Sequence, residues 1–191
     1  MTQMLIIGPP GSGKGTQASR ISDRLGIAAI STGDIFRANV KEGSPLGVEA
    51  KKYIDKGEFV PDSVTNNMVR DRLKQPDVAD GFLLDGYPRT SGQVDELDDI
   101  LAEAGTQLDI VLQLTADDEE LVQRLLGRAA QEGRSDDNES VIRRRLALYN
   151  EETAAVVNRY AERGIVATVD GIGDIDEVTE RIMTALKSVT A

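Results

Sequence analysis

Residues 8–16, Gly-Pro-Pro-Gly-Ser-Gly-Lys-Gly-Thr, constrain this chain more than any other segment. They follow the apolar run Met4-Leu5-Ile6-Ile7 and open an amphipathic segment from Thr16 to Leu25. A glycine-rich loop set between a buried strand and a helix turns its amides inward around an anion, and the helix N-terminus adds positive partial charge. Gly11, Gly13 and Gly15 let backbone approach oxygen, and Lys14 supplies a point charge for terminal phosphates. The fit to G-x-x-x-x-G-K is full. The hydroxyl comes one residue late, with Gly15 where Ser or Thr is usual and Thr16 next. The competing interpretation, a flexible loop with a solvated lysine, ignores the strand and helix on either side.

Short apolar runs alternate with helical patterns along the chain, which reads as α/β. Buried strands are expected at 4–7, 28–31, 82–85, 110–114 and 165–169. They are continuous rather than alternating, as in a parallel sheet covered on both faces. Helices are expected at 14–25, 32–42, 46–56, 62–74, 92–104, 117–130, 139–163 and 175–188. Gly26, Gly43, Gly57, Gly105 and Gly164 each fall just past a helix end, and Thr115-Ala116-Asp117-Asp118 reads as a capping box. Two segments break the alternation. Residues 32–74 hold three helical patterns without a strand, which suggests an inserted helical subdomain, and residues 128–137 form a polar stretch with two arginines, suited to a flap over an anion.

At 191 residues the chain suffices for one full core and is short for two large domains. It has no run of about 18 apolar residues, and Met1-Thr2-Gln3 lead straight into the first strand, so neither a membrane span nor a signal peptide is expected. The absence of cysteine excludes disulfides and thiolate metal sites and fits a cytoplasmic protein. A net charge of −11 argues against nucleic acid and anionic membrane as partners and is read as a solubility feature rather than salt adaptation. With no histidine, any chemistry runs without an imidazole acid, base or metal ligand.

Phe82-Leu83-Leu84-Asp85-Gly86 is an apolar strand ending in a carboxylate. Beside a phosphate loop such an aspartate can hold the hydration shell of a magnesium ion, although Asp-Gly alone is also a turn starter. Arg89 follows at the same sheet edge, where ligands bind in open α/β folds. Arg37, Arg89, Arg124, Arg128, Arg134 and Arg145 fall at strand-end loops, in the inserted helices or around the flap. In an acidic protein that is a local cationic cleft for a polyanion. A kinase acting on a hydroxyl needs a base, whereas a phosphate acceptor, with a second pKa of about 6, does not. Arginines and magnesium relieve the repulsion between two phosphates. The residues thus favour a phosphate acceptor.

Gly8-x-x-Gly11-x-Gly13-Lys14-Gly15-Thr16, Ser31-Thr32-Gly33-Asp34-x-x-Arg37, the segment from Gly81 to Thr90, Gln93 and Val169-Asp170-Gly171 together resemble the adenylate kinases, from the first strand to the last helix. The resemblance implies a three-layer P-loop fold: a five-stranded parallel sheet flanked by helices in a single core domain (1–191), an NMP-binding insertion (31–60) and a short lid (127–137). It implies reversible transfer from ATP to AMP, with AMP, ADP and ATP as small-molecule partners, magnesium, no zinc, and a monomer. By that likeness Gly11, Ser12, Gly13, Lys14, Gly15 and Thr16 cradle the ATP phosphates, Arg124 stacks on the ATP base, Arg128 meets its phosphates and Gly173 lies against adenine. Thr32, Arg37, Glu58, Phe59, Val60, Gly86, Tyr87, Pro88, Arg89 and Gln93 surround AMP. Lys14, Arg89, Arg128, Arg134 and Arg145 carry the chemistry, with Arg134 and Arg145 clamping the transferred group and the AMP phosphate, and Thr16 and Asp85, with Asp34 nearby, hold magnesium.

A glutamine amide donates and accepts at once, which suits the N1 and 6-amino edge of adenine. Gln93 and Thr32 match the adenylate form, whereas cytidylate and uridylate relatives carry asparagine at the former. Tyr87 stands where Phe is commoner, an exchange expected to be neutral, and Glu58 where Lys is frequent, at a backbone contact. The alternatives are a kinase for another monophosphate, one for a hydroxylated metabolite with Asp34 as base, and a non-catalytic ATP-binding switch. A GTP switch would carry Asn-Lys-x-Asp, which this sequence lacks.

Overall fold

Alternate side chains of β1 (Thr2–Ile7) point to opposite faces, and both sets are apolar: Met4 and Ile6 enter one core cluster, Leu5 and Ile7 another. A strand built this way has to be covered on both faces. The computed structural model, which describes residues 2–55, 60–132 and 138–190, achieves this with one sheet. β1 is joined by β2 (Ala28–Ser31), β3 (Gly81–Asp85), β4 (Ile110–Thr115) and β5 (Val166–Asp170), all parallel, in the order β2-β3-β1-β4-β5.

Helices α1 (Lys14–Leu25) and α8 (Ile175–Thr190) cover one face through Ala18, Ile21, Val178 and Ile182. The other face is covered by α4 (Asp62–Arg72), α5 (Ser91–Glu103) and α7 (Glu139–Glu162), which contribute Met68, Leu97, Val156 and Tyr160. α6 (Asp118–Glu132) packs on α7 in a smaller cluster around Leu121, Leu125 and Ile142. α2 (Thr32–Glu42) and α3 (Pro45–Ile54) fill the stretch between β2 and α4, where the sequence calls for helices without a strand. Each fully buried aliphatic side chain contributes about 1.5–3 kcal/mol, so the five short strands are held mainly by this two-sided burial.

All five expected strands form, each within two residues of its expected ends. Gly26, Gly43, Gly105 and Gly164 follow α1, α2, α5 and α7 with φ between 65 and 71°; Gly57 lies outside the described residues. Some details differ. Thr115 is the last residue of β4 rather than a cap, and Asp117 Oδ2 accepts from Glu120 N (3.4 Å) at the start of α6. The ladder with β5 holds Thr115, opposite Asp170, in extended backbone. α4 ends at Arg72, short of 74, and a 3-10 turn at Pro76–Val78, absent from the sequence reading, leads into β3. Among the described residues no helix is long and apolar enough to cross a membrane.

Two features of this architecture prepare a site. After β1 the chain turns to α1 on one face, and after neighbouring β3 it turns to α5 on the other. The two loops therefore diverge and leave a crevice at the carboxyl edge, where open α/β sheets bind ligands. The register pairs Ile6 with Asp85, which brings the Asp85 carboxylate beside the mouth of the glycine-rich loop. Below it, α1 is tied to α8 by buried polar groups. Gln17 Nε2 donates to Ile175 O (3.1 Å), and the Thr179 hydroxyl, 2.7 Å from Gln17 Oε1, accepts from Arg20 Nε (2.9 Å).

Candidate active site

The loop from Gly8 to Gly13 runs off β1 into α1 with Gly13 as the N-cap. Gly13 has φ 82° and provides no side-chain cap; a side chain would be strained in this left-handed conformation. The first amides of α1 therefore lack intrahelical partners. A Cβ built at Gly13 or Gly15 meets nothing within 4 Å, so the backbone faces open space there. Helices usually favour acidic residues in the first turn. α1 has none and begins with Lys14 instead, which leaves the positive end of the helix for an anion from outside the chain. Ser12 is buried, and its Oγ has no hydrogen-bond partner among the described residues.

Lys14 Nζ lies 2.7 Å from Asp85 Oδ1, the two side chains 27% and 16% exposed. The residues expected to hold phosphate and metal thus face each other across the crevice. Lys14 shares a cleft of about 410 Å³ with Gly86, Tyr87, Pro88, Arg89 and Arg145. A larger hollow of about 600 Å³ lies at the opposite edge of the sheet, around Gln75, Pro76 and Ala104. It has one cation, Lys74, and no phosphate loop, so it is not the candidate site.

The β3–α5 loop is fixed from several sides. Gly86 has φ 90°, and an added Cβ would lie 2.6 Å from Thr32 Oγ1, so only glycine permits this approach. The Thr32 hydroxyl lies 3.5 Å from Gly86 O, at the limit of a hydrogen bond. Tyr87, in a cis bond to Pro88, is 2% exposed, and its hydroxyl donates to Asn66 Oδ1 (2.7 Å) on α4. Burial pushes the Tyr87 phenol pKa well above its ordinary value, with the carboxylates of Glu96 and Asp62 adding to the shift. Arg89 Nε donates to Gly86 O (3.0 Å), which steadies an exposed guanidinium at the cleft wall. The Gln93 amide accepts from Arg89 N (2.7 Å) and donates to Asp62 Oδ1 (2.9 Å).

At the end of β2, Arg37 Nη2 bonds Asp34 Oδ1, and Asp34 N donates to Ser31 Oγ (3.0 Å), which caps α2. The Arg37 guanidinium, followed by the Ser31 hydroxyl, holds the Asp34 carboxyl below its ordinary range. A carboxylate so paired is a weak base, which counts against the metabolite-hydroxyl alternative.

On the other side of the phosphate loop, Arg124 Nη1 donates to Gly11 O (3.3 Å). Arg128 lies exposed one turn further along α6. Gly173 lies in the turn after β5, where Gly171 N donates to Thr115 O (2.7 Å) and Arg181 Nη1 donates to Asp170 O (3.1 Å) and Ile172 O (2.6 Å). Val60 is half-buried against the main core. Glu58, Phe59 and Arg134 lie outside the described residues, as do 56–59 of the expected insertion and 133–137 of the expected lid. Asp62, Asn66 and Arg181 join the site through contacts that sequence spacing gave no signal for.

A family model described as adenylate kinase matches residues 6–165. The chain is 73% identical over 191 residues to an adenylate kinase of Pseudarthrobacter chlorophenolicus, covering 100% of both chains. It is 73% identical over 191 residues to one of Renibacterium salmoninarum, covering 100% of this chain and 99% of the other. With an adenylate kinase of Thermobifida fusca it shares 53% identity over 186 residues, 97% of this chain and 98% of the relative. The glycine-rich loop, the Lys14–Asp85 pair and the arginine-walled cleft thus lie in a chain that belongs to the adenylate kinase family.

Proposed function

We propose that this enzyme transfers the terminal phosphoryl group of ATP to AMP, reversibly and with magnesium, giving two ADP and so balancing the adenine nucleotides of the cytoplasm, and that it works as a monomer. The observation that carries this reading is the cleft in which Lys14 and the phosphate loop face Arg89 and Arg145. Cations from two loops and α7 converge on one volume, as a reaction between two polyphosphates demands.

The donor phosphates lie along the amides of residues 11–16, with Lys14 at the transferred group. Arg124 stacks on the donor base, Arg128 meets its phosphates, and the Gly173 backbone borders the adenine. The acceptor lies among Thr32, Arg37, the backbone of residues 58–60, Gly86 to Arg89 and Gln93. Residues 31–60 act as its binding subdomain and residues 127–137 as a short lid.

The acceptor phosphate is already a nucleophile at neutral pH, so no side chain has to take a proton. What the chain must do is hold two anions in line and offset their repulsion. Lys14, Arg89, Arg128, Arg134 and Arg145 do this with fixed charge, most strongly as phosphoryl charge spreads in the transition state. Closure of lid and subdomain excludes the water that would otherwise hydrolyse ATP, and reopening to release ADP sets the rate.

Thr16 and Asp85 are hard oxygen donors at the loop mouth, and no cluster of three or more acidic ligands exists among the described residues. That set fits magnesium, which takes most of its coordination from phosphate and water and needs one or two protein groups. Magnesium held there by Thr16 and Asp85 would supply positive charge to offset that of the phosphates.

Coupled ADP formation from ATP and magnesium, with AMP, CMP, UMP, GMP or no acceptor offered in parallel, tests the reading. Fast turnover with AMP alone is expected. Comparable turnover with a pyrimidine monophosphate overturns the choice of acceptor, and ATP loss without any acceptor requirement overturns the reaction.

A further inference from the structure

Gln93 is buried, and both ends of its amide are engaged. Oε1 accepts from Arg89 N at 2.7 Å, and Nε2 donates to Asp62 Oδ1 at 2.9 Å. A backbone N–H can only donate and an ionised carboxylate can only accept, so the amide has a single orientation. Turned by 180°, it would set Oε1 against a carboxylate and Nε2 against an N–H. Asp62 reaches it from the first residue of α4, 31 positions away in the chain.

These two bonds leave one lone pair on Oε1 and one hydrogen on Nε2. The edge of a 6-aminopurine offers an acceptor at N1 and a donor at the 6-amino group, which complements that remainder. The edge of a 6-oxopurine offers the reverse, N1–H and O6, and only a turned amide can pair with both. A site left with mismatched polar groups rejects a ligand far more strongly than one that merely loses contact area.

We infer that Asp62 is a specificity-determining positioning residue: by holding the Gln93 amide in the orientation that reads a 6-aminopurine, it turns away 6-oxopurine monophosphates. The inference rests on the proposed role of Gln93 as the reader of the acceptor base.

The test compares kcat/KM for AMP and for IMP, which differ in this edge alone, in the parent enzyme, Asp62→Asn and Gln93→Leu. An asparagine at 62 can donate as well as accept, so one of the two constraints on the amide is lifted and the Arg89 N–H alone still opposes a turn. Both substrates are assayed on one preparation, so the ratio does not depend on how much of a variant is folded. The AMP-to-IMP preference is expected to fall about tenfold in D62N, the worth of one hydrogen bond, through KM rather than kcat, and to fall in Q93L as well. A preference that collapses in Q93L and is unchanged in D62N overturns the role of Asp62 alone. A preference unchanged in both overturns the reading of Gln93 beneath it. A fall in D62N without one in Q93L overturns the route through Gln93.

Discussion

Replacing Tyr87 by Phe removes one oxygen atom, and by sequence reasoning the exchange should cost nothing. The structure predicts otherwise. The Tyr87 ring is 2% exposed, and its hydroxyl donates to Asn66 Oδ1 at 2.7 Å, tying the β3–α5 loop to α4. A typical net hydrogen bond is worth about 0.5–1.5 kcal/mol, whereas a fully buried orphan costs about 1–3 kcal/mol. Asn66 is half-buried, so its oxygen can turn toward water and the cost belongs to the first range. About 1 kcal/mol is therefore expected. For a chain of this length that lowers Tm by about 2–4 °C. With an m-value of about 2–3 kcal/mol/M it moves the urea midpoint down by about 0.3–0.5 M. A cycle with Asn66→Ala isolates the pair: Y87F should cost little in the N66A background, with a coupling of about 1 kcal/mol. Unfolding in urea, followed by circular dichroism for the four proteins, measures it. If Y87F unfolds at the parent midpoint, or costs the same with and without Asn66, the hydrogen bond contributes nothing to stability despite its 2.7 Å length.

Lys14→Ala and Arg89→Ala should each reduce kcat/KM by about a thousandfold or more, the range of charge stabilisation in phosphoryl transfer, with unfolding midpoints near the parent's because both side chains lie at the open cleft; near-parent turnover in either removes its role. Two buried tyrosines, Tyr87 and Tyr160, and the half-buried Tyr149 set an alkaline limit. Burial pushes Tyr149 up to about 12 and Tyr87 and Tyr160 further, against about 10 in the unfolded chain. The unfolded state therefore loses protons first, and stability present below about pH 10 declines as the pH rises toward 12. Urea midpoints from pH 9 to 12 check this, and Tyr149→Phe should flatten the decline.

Much of the fold was legible because it is written in local periodicity. Met4 to Ile7 and Phe82 to Leu84 are apolar at every position, and only a sheet covered on both faces hides both sets of side chains. Glycines past the ends of α1, α2, α5 and α7 marked their C-termini, because the left-handed cap is a property of one residue. The capping box at Thr115 failed for the opposite reason. Its local preference lost to the ladder with β5, a partner about 55 residues away.

The site divides in the same way. The order Gly8 to Thr16 after a buried strand determined by itself that the glycine-rich loop would open onto a helix N-terminus, because strand, loop and helix are consecutive and need no long-range packing to be adjacent. The chain likewise carried a carboxylate and an arginine at the end of one strand, Asp85 and Arg89. Only the tertiary structure decided that β3 lies beside β1, which brings Asp85 within 2.7 Å of Lys14. It alone brought Asn66 to the Tyr87 hydroxyl and Asp62 to the Gln93 amide. The periodicity of a helix tells which face is apolar and is silent about the polar residue opposite it. That choice is made when α4 packs onto the sheet beside α5, and the directional bonds across the contact then settle which way a side chain such as Gln93 can point.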